Sequence, residues 1–195
     1  MRVLRRAIFA ALVGAVLAVS MSVSFASPAH ASAAQINADV RATLNNFYAS
    51  VPGSRELASR AAGVLVFPTV IKAGIGFGGE YGEGVMLSGG RTAGYYNLVS
   101  ASFGFQLGAQ ARTIIIMFMT PRALDGFQNK AGWKVGVDGS VALITVGAGG
   151  AIDTNSITSP VIGFVLDPKG LMYNLTLEGS KISASILEIS LSPLG

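Results

Sequence analysis

The chain has 195 residues, 14 Lys+Arg against 10 Asp+Glu, one histidine and no cysteine. Lacking cysteine, it can form no disulfide, no thiolate metal site and no acylated lipoprotein cysteine. Hydrophobic residues make up 51%, charged residues only 12%, and 25 residues are glycine, which describes a compact β-rich domain and excludes a disordered chain.

Residues 1–31 read as a secretory signal. Arg2, Arg5 and Arg6 form a positive n-region, Ala7 to Val19 an apolar h-region, and Ala29-His30-Ala31 an A-x-A cleavage site. The mature chain is therefore expected to start at Ser32 and to be exported to the periplasm or cell envelope. The apolar run is short for a membrane span of about 20 residues, which weighs against an uncleaved anchor. Arg5-Arg6 permits twin-arginine export, but the residues that follow fit the general route better. Cleavage removes three of the 14 basic residues and leaves 11 against 10 acidic ones, so the basic balance belongs mostly to the signal. A near-neutral mature chain lacks the electrostatic footprint of nucleic-acid binding. His30 also leaves with the signal, which removes imidazole metal sites and Ser-His-Asp or Cys-His mechanisms. No metal or cofactor is expected.

Ile36, Val40, Leu44, Phe47, Tyr48 and Val51 recur at helical spacing and predict an amphipathic helix from about Ala34 to Ser50, ended by Val51-Pro52-Gly53. Such a helix either covers a sheet face or lies in a membrane interface. With Arg41 as the only cation on its polar face, the first reading is favoured. A shorter helix follows, with Ser54 as its expected N-cap and Gly63 as its C-terminal stop.

The stretch GVLVFPTVIKAGIGFGGEYGEG, Gly63 to Gly84, is too glycine-dense for a helix. Gly74, Gly76 and Gly79 match G-x-G-x-x-G, but a strand-like VMLSGG follows where a dinucleotide fingerprint needs a helix. Position 99, where an acidic residue is required, is Val. The stretch reads as curved sheet and turn. Beyond it, Ala101 to Gln110 and Lys134 to Leu143 alternate with a period of two, and Thr113 to Met119 (TIIIMFM) reads as a central strand buried on both faces. Thr120 can cap a short helix, with Pro121 at its first position and Ala123, Leu124 and Phe127 inward. Turns are expected at Ser88-Gly89-Gly90-Arg91, Asp167-Pro168-Lys169-Gly170 and Glu178-Gly179-Ser180. The predicted class is α+β: one domain over residues 32–195, with helices over 32–62 and mainly strands over 63–195. Its body is an antiparallel, barrel-like or sandwich sheet with N-terminal amphipathic helices and one short inserted helix.

Among candidate sites, Glu80 and Glu83 could pair as catalytic carboxylates, with Asp138 and Asp153 as looser candidates. Solvated surface acids are the plainer reading. Gly147 to Gly150 could present backbone N–H groups to an anion, although a glycine bend explains it as well. Asn174-Leu175-Thr176 matches a glycosylation acceptor inside an expected strand and is set aside. Between Arg122 and Lys134, three cations stand against a single Asp125, beside Trp133, the sole tryptophan. Cations next to tryptophan suit contact with lipid headgroups, whereas a partly buried Trp among solvated lysines is the bland alternative. The lipid-contact set is Lys72, Arg112, Arg122, Lys130, Trp133 and Lys134.

Several long segments carry a family resemblance: GVLVFPTVIKAGIGFGGEYGEGVML, TAGYYNLVSASFGFQLGAQ, GWKVGVDGSVALITVGAGGAID and GLMYNLTLEGSKI. Over about Ala61 to Lys181 the chain resembles bacterial members of the SYLF domain family, also called Ysc84-like. The resemblance implies N-terminal helices with a strand-rich body, lipid binding (phosphoinositide-directed in eukaryotic, actin-linked relatives) and no known catalytic activity. The expected partner is a phospholipid or membrane surface, with an anionic phospholipid standing in for phosphoinositide. A structural or protein-interaction module of the envelope is the alternative.

Overall fold

The computed structural model describes residues 32–75, 77–103, 108–144, 152, 157–166 and 177–185. The signal segment 1–31, the turn at 167–170, the Gly147 to Gly150 turn, Asp153 and Asn174-Leu175-Thr176 lie outside these residues. Two helices, α1 (Ala33–Ser50) and α2 (Ser54–Arg60), precede strands β1 (Gly63–Ile75), β2 (Phe77–Ser88), β3 (Arg91–Phe103) and β4 (Gly108–Phe118). Helix α3 (Pro121–Gln128) follows, then β5 (Trp133–Lys134), β6 (Ala142–Leu143), β7 (Val161–Leu166) and β8 (Lys181–Ala184). The strands form one curled sheet in the order β5-β8-β3-β2-β1-β4-β7-β6. The class is α+β and β-rich, as predicted. Every pairing is antiparallel except the short β6–β7 edge, which is parallel.

The sheet separates two cores. On one face, Ile36, Val40, Leu44 and Phe47 of α1 pack against Val64, Val66, Val85, Ile115, Met117 and Phe164. The rings of Phe47 and Phe164 lie 4.9 Å apart. On the other face, Leu124 and Phe127 of α3 join Leu65, Phe67, Met86, Ile116, Phe118 and Trp133. Alternate residues of β1 and β4 thus feed opposite cores, and no position in Ile114–Phe118 has any exposed surface. A strand covered on both sides has no need of a polar face, which is why TIIIMFM carries none.

Of the two caps expected from the sequence, the one at α3 holds, and Ser32 caps α1 as well. Ser32 Oγ accepts from the Gln35 N–H and Thr120 Oγ1 from the Ala123 N–H, both at 3.2 Å. At α2 the expectation was one residue late. Gly53, with φ 87°, is the N-cap, while Ser54 is buried inside the first turn and donates to the Val51 carbonyl. Nor does Gly63 stop a helix: it opens β1, where a Cβ would lie 2.8 Å from the Leu124 side chain.

Lys134 to Leu143 was also expected as a strand, but the structure replaces it with a tight loop between two short strands. Asp138 Oδ2 accepts from the Lys134 N–H at 2.8 Å, Gly136 takes φ 86°, and the Val137 and Asp138 amides return to the Lys134 carbonyl. These local bonds satisfy the backbone where a sheet ladder would otherwise do so, and alternation alone does not reveal them. Gly89 and Gly90 make the expected β2–β3 turn.

Strand β1 contains one irregularity. Val66 faces Val85 on β2 and Thr69 faces Glu83, so Phe67 and Pro68 together oppose Gly84. This is a β-bulge at the one residue that cannot donate to the ladder.

Candidate lipid-contact site

The six candidate residues come from β1, β4, α3, the connection after it and β5, and the fold sets them at four places. Lys72 of β1 faces Glu80 of β2, and Arg112 of β4 lies diagonally from Lys72. Arg112 Nη2 donates to Glu80 Oε2, while Lys72 Nζ stands 3.6 Å from Oε1. Glu80 is buried at 6% exposure. Both cations therefore turn to an internal carboxylate on the α3 face of the sheet.

Trp133 is 3% exposed and packs edge-on against Phe127, at 5.6 Å between centroids, and against Phe118 at 6.2 Å. This corrects the expectation of a tryptophan at headgroup level: its ring belongs to the core, and the plainer reading of the residue holds. Arg122 is exposed on the first turn of α3.

Lys130 and Lys134 meet at the sheet edge through Asp138. Lys130 Nζ lies 3.0 Å from Asp138 Oδ1, and the Lys134 N–H binds its other oxygen. The backbone bond from Lys134, then the contact with Lys130, holds the Asp138 carboxyl below the usual carboxylate range. Strand pairing adds a cation that sequence reasoning missed. Lys181 of β8 is the direct partner of Lys134 on β5, and both are exposed. Like charges directly opposite one another on a strand pair are unfavourable, and Lys134 and Lys181 stand so at the edge, with the Asp138 carboxylate beside them. Val137, in the loop closed on the Lys134 carbonyl, is 73% exposed. The sequence carried no signal for Lys181, because its neighbour is 47 positions away and joined to it only by the sheet order.

Glu80 and Glu83 do not form a pair. They lie on opposite faces of β2: Glu80 meets Arg112, whereas Glu83 Oε1 accepts from the Tyr81 hydroxyl at 3.0 Å on the α1 face. Burial first, then the bond to Glu83 and its charge, push the Tyr81 phenol up to about 12. Tyr81 and Glu83 line a cavity of about 170 Å³ with Ile36, Asp39, Thr69 and Ile71. Beside it, Ile71, Tyr81 and Val99 form an exposed apolar row across β1, β2 and β3, at 43%, 38% and 53% exposure.

Residues 99–186, from the end of β3 through β8, match the family model of Ysc84, described as Las17-binding protein actin regulator. Over these residues the chain is similar to a Ysc84 domain. The matched span holds the whole β5–β8 edge, α3 and Arg112. The Ysc84 match leaves out Lys72 and Glu80, which lie on the preceding β1–β2 hairpin. No curated protein matches the chain. Among the described residues, no helix is long and apolar enough to cross a membrane.

Proposed function

We propose that the chain is an exported, non-enzymatic domain of the cell envelope that contacts anionic phospholipid headgroups through its β5–β8 edge. The observation that carries this reading is Val137, an aliphatic side chain 73% exposed on a loop whose base holds Lys134 opposite Lys181. An apolar tip with cations around its base suits an anionic bilayer surface, where the tip enters the acyl boundary and the cations stay among the phosphates. Lys134 and Lys181 contribute about 1 kcal/mol each. Burying the Val137 side chain adds about 2 kcal/mol. The sum, about 4 kcal/mol, corresponds to millimolar binding for one copy.

Co-sedimentation with vesicles of phosphatidylglycerol in phosphatidylcholine tests this. Pelleting is expected at low salt, with a loss on raising the salt and on replacing the anionic lipid by phosphatidylcholine. Val137→Asp should weaken it about 30-fold, and Lys134→Glu with Lys181→Glu should abolish it, with melting temperatures unchanged. Pelleting that ignores all three substitutions would remove the edge from the reading. No pelleting with any lipid would remove lipid binding itself.

The apolar row Ile71–Tyr81–Val99 favours a second reading, a protein-interaction module that uses the sheet face.

A further inference from the structure

The Lys72–Glu80–Arg112 cluster has one charge too many. Its side chains are 18%, 5% and 9% exposed, and among the described residues Glu80 is the one carboxylate that meets the two cations. Ionised groups withdrawn from water need partners, and a guanidinium cannot shed its proton to escape the cost. The donors are also unequally used. Arg112 Nε is buried with no hydrogen-bond partner, and Lys72 Nζ, at 3.6 Å from Oε1, is beyond hydrogen-bond reach of the carboxylate. Ser100 stands opposite Glu80 and Gln110 opposite Lys72, both neutral and able to donate. Two cations on neighbouring strands, an unused guanidinium N–H and neutral donors around them make a receptor for a group with several negative oxygens.

We propose that this cluster is an oxyanion site that takes a phosphate group, either free or carried on a lipid. Lys72, its most exposed member, marks the side of entry. The bound group offsets the cluster's excess positive charge and gives Arg112 Nε and Lys72 Nζ the acceptors they lack. This site stands apart from the β5–β8 edge and does not depend on it, because free phosphate would serve the same donors.

The test titrates inorganic phosphate into the full chain, followed by phosphorus NMR and by thermal melting, with sulfate and chloride at matched ionic strength. In parallel, the chain is floated with vesicles containing phosphatidic acid. Phosphate is expected to bind in preference to chloride and to raise the melting temperature. Lys72→Gln should weaken binding about tenfold. Arg112→Lys keeps the charge but removes the Nε donor and should weaken it as well. Glu80→Gln raises the cluster's charge and should tighten binding. If that variant fails to fold, the partly exposed Lys72 still decides the question. Phosphate-insensitive melting, an equal response to chloride, or binding unchanged in Lys72→Gln would overturn the proposal. Flotation lost in Lys72→Gln and competed by inorganic phosphate assigns the group to a lipid. Phosphate binding without flotation assigns it to free phosphate, and then this site stands while the lipid reading falls. Flotation that persists in Lys72→Gln, with no phosphate binding, does the reverse.

Discussion

Gly84 lies under the ring of Phe67. A Cβ there would sit 2.5 Å from Phe67 Cδ1 and 2.6 Å from the Val66 carbonyl oxygen, a backbone atom that cannot swing aside as a side chain can. Gly82 is likewise covered by Val70, with a Cβ placed 2.7 Å from its methyl carbon. The glycine-dense stretch thus makes room for neighbouring side chains on the α3 face, in keeping with its reading as sheet and turn. Gly84→Ala should cost about 3 kcal/mol of stability, read as a lower midpoint in urea unfolding. A midpoint equal to wild type would show that Phe67 and the β1 backbone at Val66 both give way at no cost. Tyr81 offers a second check at this scale. Its folded pKa, pushed up to about 12, exceeds the unfolded value of 10.0, so the folded state holds a proton that the unfolded chain loses. That contribution to stability is complete below pH 10 and is lost as the pH rises from about 10 to about 12. Tyrosinate absorbance should show one phenol titrating near 12, absent in Tyr81→Phe and shifted down in Glu83→Gln. Nothing in the sequence marked this phenol, because its shift comes from burial against α1 and from a neighbour on the same strand face.

Helix α1 was legible almost to the residue, Ala33–Ser50 against an expected start at Ala34, because four apolar positions at helical spacing meet one sheet face. Its largest inward side chain is Phe47, 2% exposed and in ring contact with Tyr48 and Phe164. Phe47→Ala should cost about 4 kcal/mol by chemical unfolding. Asn37, which binds the Tyr95 hydroxyl and accepts from Thr92 at the partly exposed rim, should cost much less on truncation to Ala. Equal losses would mean that polar contacts at the rim, and not ring packing, seat the helix. The apolar run of strand β4 was legible for a related reason, since a short β-branched run without a polar face suits a strand buried on both sides. Gly108 to Gln110, expected to continue a strand from Ala101, open β4 instead. The Val135 to Leu143 segment shows the limit. Its alternation is real, but Asp138 and Gly136 bend it into a loop, and turn chemistry of this kind overrides periodicity.

At the scale of the molecule, the class was readable and the strand order was not. Hairpins such as β2–β3 follow from the chain, whereas β4 beside β1, and β8 between β3 and β5, are settled by which surfaces can be buried together. That order divided the candidate site. It sent Lys72 and Arg112 to a buried carboxylate, placed Trp133 in the core, and set Lys134 beside a lysine that sequence distance had hidden. Charge counts along the chain cannot anticipate such sorting, because exposure is a property of the assembled sheet. The bulge at Pro68 bears on how a chain of this kind can change length. Since Phe67 and Pro68 share one partner on β2, Pro68 is a surplus residue in the ladder, and Thr113 Oγ1 donates to its carbonyl at 2.7 Å to hold it there. Excising it would leave Val70 and Lys72 on the α3 face and Thr69 and Ile71 on the other. A deletion that inverts the facing of an ordinary strand is in frame here, and what it removes is bend.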